Sequence, residues 1–145
     1  MSKVEDFLTK EEELEIVEAI RLAEKETSGE IRVHIEKEAS IAHFDHALEV
    51  FHLLKMDETV LKNGVLIYVA VKDKVFVICG DKNINDLVGA DFWDSTKEVM
   101  ANHFKHGNFK QGLVDGISMA GEQLQKHFPF HDEDTDELSN EISKG

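Results

Sequence analysis

The sequence predicts an α/β protein, a three-layer α/β/α sandwich around a small mixed sheet of about four strands. Two apolar runs, 65–71 and 75–79, flank a three-residue polar turn, which is typical of an antiparallel hairpin. A third run at 30–36 is joined to this hairpin by a helical segment, and a strand–helix–strand order gives a parallel pair. Helical periodicity in the other segments provides two covering layers.

Composition indicates one globular domain at 1–128, followed by a flexible acidic tail at 129–145. The chain has 145 residues, of which 41% are hydrophobic, and its net charge is −14. This charge argues against nucleic acid and anionic membranes as partners, and favours cations or basic proteins. The alternative is that the acidic residues only keep the protein soluble.

The lone Cys79 and the absence of long apolar runs predict a cytoplasmic protein. Cys79 lies inside a predicted strand, where a small core residue is expected rather than a nucleophile. The N-terminus has no apolar core of signal-peptide length, and the longest apolar run is far too short to span a membrane. We therefore expect no membrane insertion.

The first helix is predicted to begin after Thr9, because Thr9 and Glu12 have the spacing of a capping box. It is expected to end at Gly29. The expected apolar stripe is Leu14, Val17, Ile20 and Ala23.

The run at 30–36 is predicted to be a half-buried strand near a sheet edge, since its apolar and polar residues alternate. Its outward side chains would be Arg32, His34 and Glu36. A second helix is expected from Ser40 to about Leu54. The expected stripe is Phe44, Leu48, Phe51 and Leu54. His43 and His46 could ligate a transition metal, but a solvated helical face is the preferred interpretation.

The run at 65–71 has no polar alternation, which predicts a central strand buried on both faces. A third helix is expected to begin near Asp91 and to direct Trp93, Met100 and Phe104 inward. The last helix is predicted at 109–127, where Gly112 and Gly116 would allow close approach to the sheet.

The predicted topology brings distant carboxylates to one end of the sheet. A helical crossover makes the first two strands parallel, so Glu30 and Asn63 begin at the same end. The return strand of the hairpin finishes there, and its last residues lead into an acidic loop. Crowded carboxylates repel unless one is protonated or a cation lies between them. Oxygen ligands favour Ca²⁺, with Mg²⁺ as a second choice. The predicted ligands are Asp81, Asp86, Asp91, Asp94 and Glu30.

Simpler roles exist for some of these residues. Asp91 could cap the third helix, and Asp81 could shape a turn. Asp81, Asn83 and Asn85 match the start of an EF-hand loop, but Asp86 and Phe92 break the pattern. An EF-hand is therefore excluded, whereas a different calcium loop is not.

Four segments together resemble the TPM-domain family over about residues 7–125. They are SGEIRVHIE at 28–36, NGVLIYVAV at 63–71, KNIND at 82–86 and FKHGNFKQGL at 104–113. The resemblance implies an α/β/α sandwich whose loops at one end hold a divalent metal, often calcium. Four of the five predicted ligands fall in the corresponding loop, and Glu30 comes only from the topological argument. Members of the family are often exported and membrane-anchored, and a plant thylakoid-lumen relative has been described as an acid phosphatase.

Two functional classes follow. In the first, the chain is a non-catalytic, calcium-binding, stand-alone domain with a regulatory or metal-responsive role and a protein partner. In the second, the same acidic end is a metal-dependent phosphatase, in which the ion polarises water. The sequence provides no convincing nucleophile or general base, which favours the first class.

Overall fold

The fold is built on four strands, β1 (Glu30–Glu36), β2 (Gly64–Ala70), β3 (Val75–Gly80) and β4 (Ser143–Lys144). A computed structural model describes residues 8–37, 43–59, 62–72, 75–87, 93–128 and 142–144. The α-helices in this part of the chain are α1 (Lys10–Glu24), α2 (His43–Leu53), α3 (Lys82–Leu87), α4 (Asp94–Lys105) and α5 (Phe109–His127). A short 3₁₀ helix spans Met56–Glu58.

The sheet is mixed and has the strand order β3–β2–β1–β4. The pair β1–β2 is parallel from Glu30 opposite Gly64 to Glu36 opposite Ala70. The hairpin partner β3 is antiparallel to β2, with Val65 opposite Gly80. The predicted hairpin, the parallel crossover and the four-strand mixed sheet are therefore confirmed.

Two apolar cores separate the sheet from its helical layers. One face of the sheet carries Ile31, Val33, Val65 and Ile67, which pack with residues of α1, α4 and α5. The other face carries Leu66, Tyr68, Ala70 and Cys79, which pack with Ala47, Val50 and Phe51 of α2. Because successive residues of a strand point to opposite faces, both cores depend on the same central strand. All seven residues of β2 are buried, as predicted, and the three-layer architecture is confirmed.

Helix α1 begins as predicted but turns a different face inward. Thr9 and Glu12 form the complete capping box, with Oγ1 and Oε1 each accepting from the other residue's N–H at 3.1 and 2.9 Å. The buried residues are Ile16 and Ile20, whereas Leu14 is 69% exposed. The predicted stripe was therefore wrong at Leu14, because Leu14 lies two positions from Ile16 and so on another side of the helix. The helix also ends at Glu24, before Gly29.

Strand β1 differs from its prediction in the burial of its polar side chains. Glu30, His34 and Glu36 are buried, and Arg32 is partly buried. The expected solvent-facing side was wrong, because β4 pairs with β1 and hydrogen bonds satisfy His34 and Glu36.

Two elements were not predicted. Helix α3 occupies the start of the expected acidic loop, and Ile84 anchors it in the core. Strand β4 lies within the segment predicted as a tail, and pairs in parallel with β1 at His34 and Ile35. Lys144 Nζ lies 2.6 Å from Glu13 Oε1, which ties this strand to α1 as well.

Helix α2 also turns a slightly different stripe inward. Its buried residues include Ala47, Val50 and Phe51, whereas Leu48 is partly exposed. Of the predicted stripe, Phe51 is buried and Leu54 packs against the core. Ser40, the predicted first residue, lies outside the described residues, and so does the side chain of Phe44.

The glycines of α5 allow close packing against neighbouring helices, so the predicted close approach of Gly112 and Gly116 to the sheet was wrong. A Cβ on Gly116 would lie 2.5 Å from Met100 Sδ of α4, and a Cβ on Gly121 would lie 2.8 Å from Ala23 Cβ of α1. The absent side chains thus let both neighbouring helices approach α5. Among the described helices, none combines the length and apolar composition needed to cross a bilayer.

Candidate functional site

Three polar residues, Glu30, Asn63 and Asp81, meet at one end of the sheet, which we call the acidic edge. Glu30 begins β1 and is opposite Gly64, the first residue of β2. Asp81 directly follows β3, and its N–H donates to the Gly64 carbonyl at 2.9 Å. The predicted convergence of the ends of the three strands is therefore confirmed. Asp81 and Glu30 lie on either side of Gly64, about 10 Å apart in backbone position by strand spacing.

Asp81 is held in a buried position by backbone hydrogen bonds. Its Oδ1 accepts from the Lys82 N–H at 2.7 Å, and its carbonyl accepts from the Ile84 N–H at 3.0 Å. Only 8% of the residue is exposed. The other carboxylate oxygen, Oδ2, is buried and has no hydrogen-bond partner among the described residues. A buried carboxylate oxygen without a donor is costly, so a cation there would be stabilising.

Glu30 lies on the same face of the sheet as Asp81. Leu66 and Cys79 are paired and pack in the core on the α2 side. Since side chains alternate along each strand, Glu30 and Asp81, which are both opposite Gly64, lie on that side as well. Glu30 is 4% exposed. Between them, a Cβ on Gly64 would lie 3.3 Å from the Met56 carbonyl oxygen. A backbone oxygen, which is a ligand type that calcium accepts, therefore lies above Gly64, beside the Met56 side chain, whose Cε would be 3.6 Å from the same Cβ.

Of the other predicted ligands, only Asp94 has a described side chain, and it is not grouped with Glu30 and Asp81. Asp86 belongs to α3, with its side chain outside the description, and Asp91 lies outside the described residues. Asp94 is the exposed first residue of α4. Among the described side chains, no three His, Cys, Asp or Glu residues are grouped so that they could hold a metal ion.

The polar neighbours of the acidic edge come from the start of β1 and the end of α5. Asn63 is buried, and its Nδ2 lies 3.5 Å from Ser28 Oγ. The Ser28 N–H donates to the Phe128 carbonyl at 2.8 Å. The C-terminal end of α5 thus fixes the approach to Glu30.

A second polar cluster, which sequence reasoning missed, surrounds Glu36 at the opposite end of β1. His34 Nε2 lies 2.9 Å from Glu36 Oε1, and His46 Nε2 lies 2.7 Å from Oε2. Tyr68 also donates its hydroxyl to Oε2. The ring of His34 stacks on Tyr68 at 5.9 Å between centroids, and the His34 Nδ1 lies 2.9 Å from Ser143 Oγ. This Glu36 cluster therefore joins β1, β2, α2 and β4.

The hydrogen bonds to Glu36 decide its charge state. Burial raises the pKa of this carboxyl group, but hydrogen bonds from Tyr68 and His34 and the charge of His46 outweigh it, so the pKa is lowered. The cluster could have been found from Tyr68, the polar residue within the apolar run of β2, because a buried hydroxyl needs a partner. His46 is 26% exposed and bonded to Glu36, so the preferred interpretation as a solvated face was wrong for this residue.

Cys79 is a core residue, as predicted. It is buried between β3 and α2, and burial raises the pKa of its thiol to about 11. At neutral pH this thiol is protonated and is a poor nucleophile.

The comparisons with known proteins agree with this architecture. The NMR structure of the BA42 protein from the psychrophilic bacterium Bizionia argentinensis has 66% sequence identity and a TM-score of 0.93, with both chains covered over 100% of their length. No curated protein matches the chain. The model of the TPM domain matches residues 1–123. The chain therefore belongs to the TPM-domain family.

Proposed function

We propose that the acidic edge binds a divalent cation, with calcium as the preferred ion. The observation that carries this proposal is a pair of buried carboxylates, Glu30 and Asp81, on one face of the sheet. Their strands are separated by β2, which has the glycine Gly64 at this position. Asp81 Oδ2 has no partner among the described residues, so it is available as a ligand. The net charge of −14 attracts cations to the surface.

The ligand chemistry favours a hard ion. The oxygens near Gly64 come from two carboxylates and the Met56 carbonyl, and the edge presents no thiolate or imidazole among its described residues. Calcium accepts six to eight such oxygens and tolerates irregular geometry, whereas magnesium demands a near-octahedral set. We assign the remaining ligands to Asp86 and Asp91 in the segment that follows Asp81, and not to Asp94, which is exposed at the start of α4.

The role that fits such a site is metal-responsive rather than catalytic. Ca²⁺ would join the start of β1, the end of β3 and the segment after it, and would thereby order a surface that a protein partner could recognise. The domain then changes its binding properties with the calcium concentration.

A calcium titration followed by ¹⁵N–¹H NMR tests the proposal. The largest shifts are expected between Asp81 and Asp94, with smaller shifts near Glu30 and Asn63. Asp81→Asn should weaken calcium binding by about tenfold or more, because it removes a charged ligand. Asp45→Asn is the matched control, since Asp45 is exposed on α2 and far along the chain from the edge.

Stability measurements separate a lost ligand from a damaged fold. Without metal, Asp81→Asn should be at least as stable as the wild type, because an amide can still accept from the Lys82 N–H and no buried charge remains. With calcium, the wild type and Asp45→Asn should gain more thermal stability than Asp81→Asn. The absence of shifts at the acidic edge at millimolar calcium would reject the proposal.

Phosphoester hydrolysis is the second candidate function, because the family model that matches the chain is named after a phosphatase. A hydrolase would use the cation to polarise water and to neutralise the phosphate. An assay with p-nitrophenyl phosphate, with and without calcium, distinguishes the two functions. Calcium-dependent turnover that Asp81→Asn abolishes would replace the binding role with the catalytic one.

A further inference from the structure

The motif that joins α4 to α5 lies far from the acidic edge. Residues 104–109, FKHGNF, lie beside the end of the hairpin where β2 finishes and β3 begins. The seven residues of β2 separate this end from the acidic edge by roughly 20 Å. The proposed metal site therefore gives this motif no role.

The motif forms one wall of a cavity of about 490 Å³. Phe104 and Phe109 line one side, Phe76 and other residues of the hairpin line the other, and Ala101 and Lys105 complete the rim. Cavities of roughly 300–1,000 Å³ with apolar walls are typical of sites for small molecules. This cavity therefore has the size and the lining of a ligand site.

The aromatic rings are arranged so that they leave this space open. The centroids of Phe104 and Phe109 are 5.7 Å apart, and Phe76 meets Phe104 edge to face at 5.2 Å. A Cβ on Gly112 would lie 2.5 Å from Phe104 Cε1, so the glycine allows this ring to lie against α5. Gly107 has a φ of 79°, which sets the turn between the two helices. Gly107 and Gly112 thus position the rings without filling the cavity.

One end of the cavity favours an anion. Lys105 is the one charged residue among the described residues that line it. A polar cavity of about 380 Å³ adjoins it, shares Gly107 and Phe109, and includes Asn108 and Lys110 at the N-terminal end of α5. The Asn108 side chain does not cap this 19-residue helix, and the first turn has no acidic residue. A negative group there would interact favourably with the helix dipole and with Lys105, whereas Lys110 already pairs with Glu15.

Two carboxylates, Glu12 and Glu15, also lie near the polar cavity, and Glu15 Oε1 is 3.6 Å from Lys110 Nζ. Glu12 lines the polar cavity, and its Oε1 accepts from the Thr9 N–H at 2.9 Å, which holds this carboxylate at the start of α1, away from the apolar cavity that Lys105 lines. The net charge of the chain acts from longer range, and physiological salt screens charges beyond about 8 Å. Local contacts with Lys105 and α5 therefore decide which head group is preferred.

We propose that this cavity binds a small amphiphilic carboxylate of the medium-chain fatty acid class. The alkyl chain lies among Phe76, Phe104 and Phe109, and the carboxylate lies between Lys105 and the N-terminal end of α5. Each buried methylene increases the affinity about fourfold. The site is separate from the acidic edge, so the two proposals can fail independently.

A titration with sodium decanoate in metal-free buffer, followed by ¹⁵N–¹H NMR, tests this site. Saturable shifts are expected at residues 69–76 and 101–110. Decanol has the same number of carbon atoms but no charge. It should bind about fivefold more weakly, because it lacks one partly exposed ion pair. Lys105→Gln should remove this difference, whereas Lys97→Gln, an exposed lysine of the same helix, should leave it unchanged.

A cavity-filling variant gives a second measurement. Ala101 is exposed on the rim, so Ala101→Trp should block decanoate without disturbing the core. Asp81→Asn should bind decanoate like the wild type. The proposal is overturned if decanoate shifts no residue at the cavity, if decanol binds as tightly as decanoate, or if Ala101→Trp binds decanoate unchanged.

Discussion

The Glu36 cluster gives the sharpest prediction about stability. Glu36 accepts hydrogen bonds from His34, His46 and Tyr68 through its two oxygens. In Glu36→Gln, one oxygen becomes an NH₂ group, which cannot accept from any of these donors. The His34 ring can accept from this NH₂ group through its other tautomer, but the acceptor loses its charge towards all three partners, at a cost of about 3 kcal/mol.

The matched control is Glu49→Gln on α2. Glu49 Oε2 lies 3.7 Å from Nδ1 of the same His46, but its side chain is 65% exposed. An exposed pair of this kind contributes less than about 1 kcal/mol. Thermal denaturation followed by circular dichroism should therefore show a fall of about 10 °C for Glu36→Gln and little change for Glu49→Gln.

The pH dependence tests the cause of this difference. The pKa of Glu36 is lowered from its ordinary value of 4.5, so its contribution to stability is present above pH 4.5 and is lost as the pH falls through the lower pKa of the folded state. The difference in unfolding free energy between wild type and Glu36→Gln should shrink below pH 4.5. Equal losses for the Glu36 and Glu49 variants at pH 7 would refute the assigned role of the cluster.

Three further predictions concern the fold. Thr9→Ala should lower the unfolding free energy by about 1 kcal/mol in urea denaturation, because it removes the capping bond to the Glu12 N–H, whereas Thr9→Ser should retain most of it. Gly121→Ala should be less harmful in an Ala23→Gly background, and a double-mutant cycle should give a coupling of about 1 kcal/mol. Cys79 should not react with Ellman's reagent at pH 8 until denaturant is added, since its thiol pKa is about 11; rapid reaction of the native protein would contradict its burial.

Local signals explain which elements the sequence predicts correctly. The hairpin follows from two apolar runs around a short turn, and α5 follows from a long periodic stripe, so neither depends on distant residues. The stripe of α1 is ambiguous, because two apolar rows lie along this helix. One row joins Leu14 and Val17 to Ile20, and the other joins Ile16 to Ile20. Packing against α5 selects the row with Ile16, and this selection cannot be derived from periodicity alone.

Short elements depend on tertiary contacts and leave little local signal. Helix α3 has six residues, three of which are Asn or Asp, yet Ile84 is buried and the Asn83 N–H donates to the Lys62 carbonyl at 3.1 Å. Strand β4 has two residues and is held by His34 and Glu13. Both elements form because the rest of the fold offers partners.

The candidate site was predictable to the extent that topology determines it. The order of strands was enough to bring Glu30 and Asp81 to one edge, because the end at which each strand begins follows from parallel or antiparallel pairing. The Glu36 cluster was missed because alternation in β1 was interpreted as exposure. Only the position of Tyr68 opposite His34 reveals that the polar row is buried.

The burial of all seven residues of β2 has a consequence for the dynamics of the molecule. The strand is paired with β1 on one side and β3 on the other, and both cores pack on it, so its amide hydrogens reach solvent only when strand pairing and core packing are lost together. Their exchange with deuterated water should then be the slowest in the chain and should follow the global free energy of unfolding. The amide exchange rates of the central strand thereby report the stability of the whole domain under native conditions.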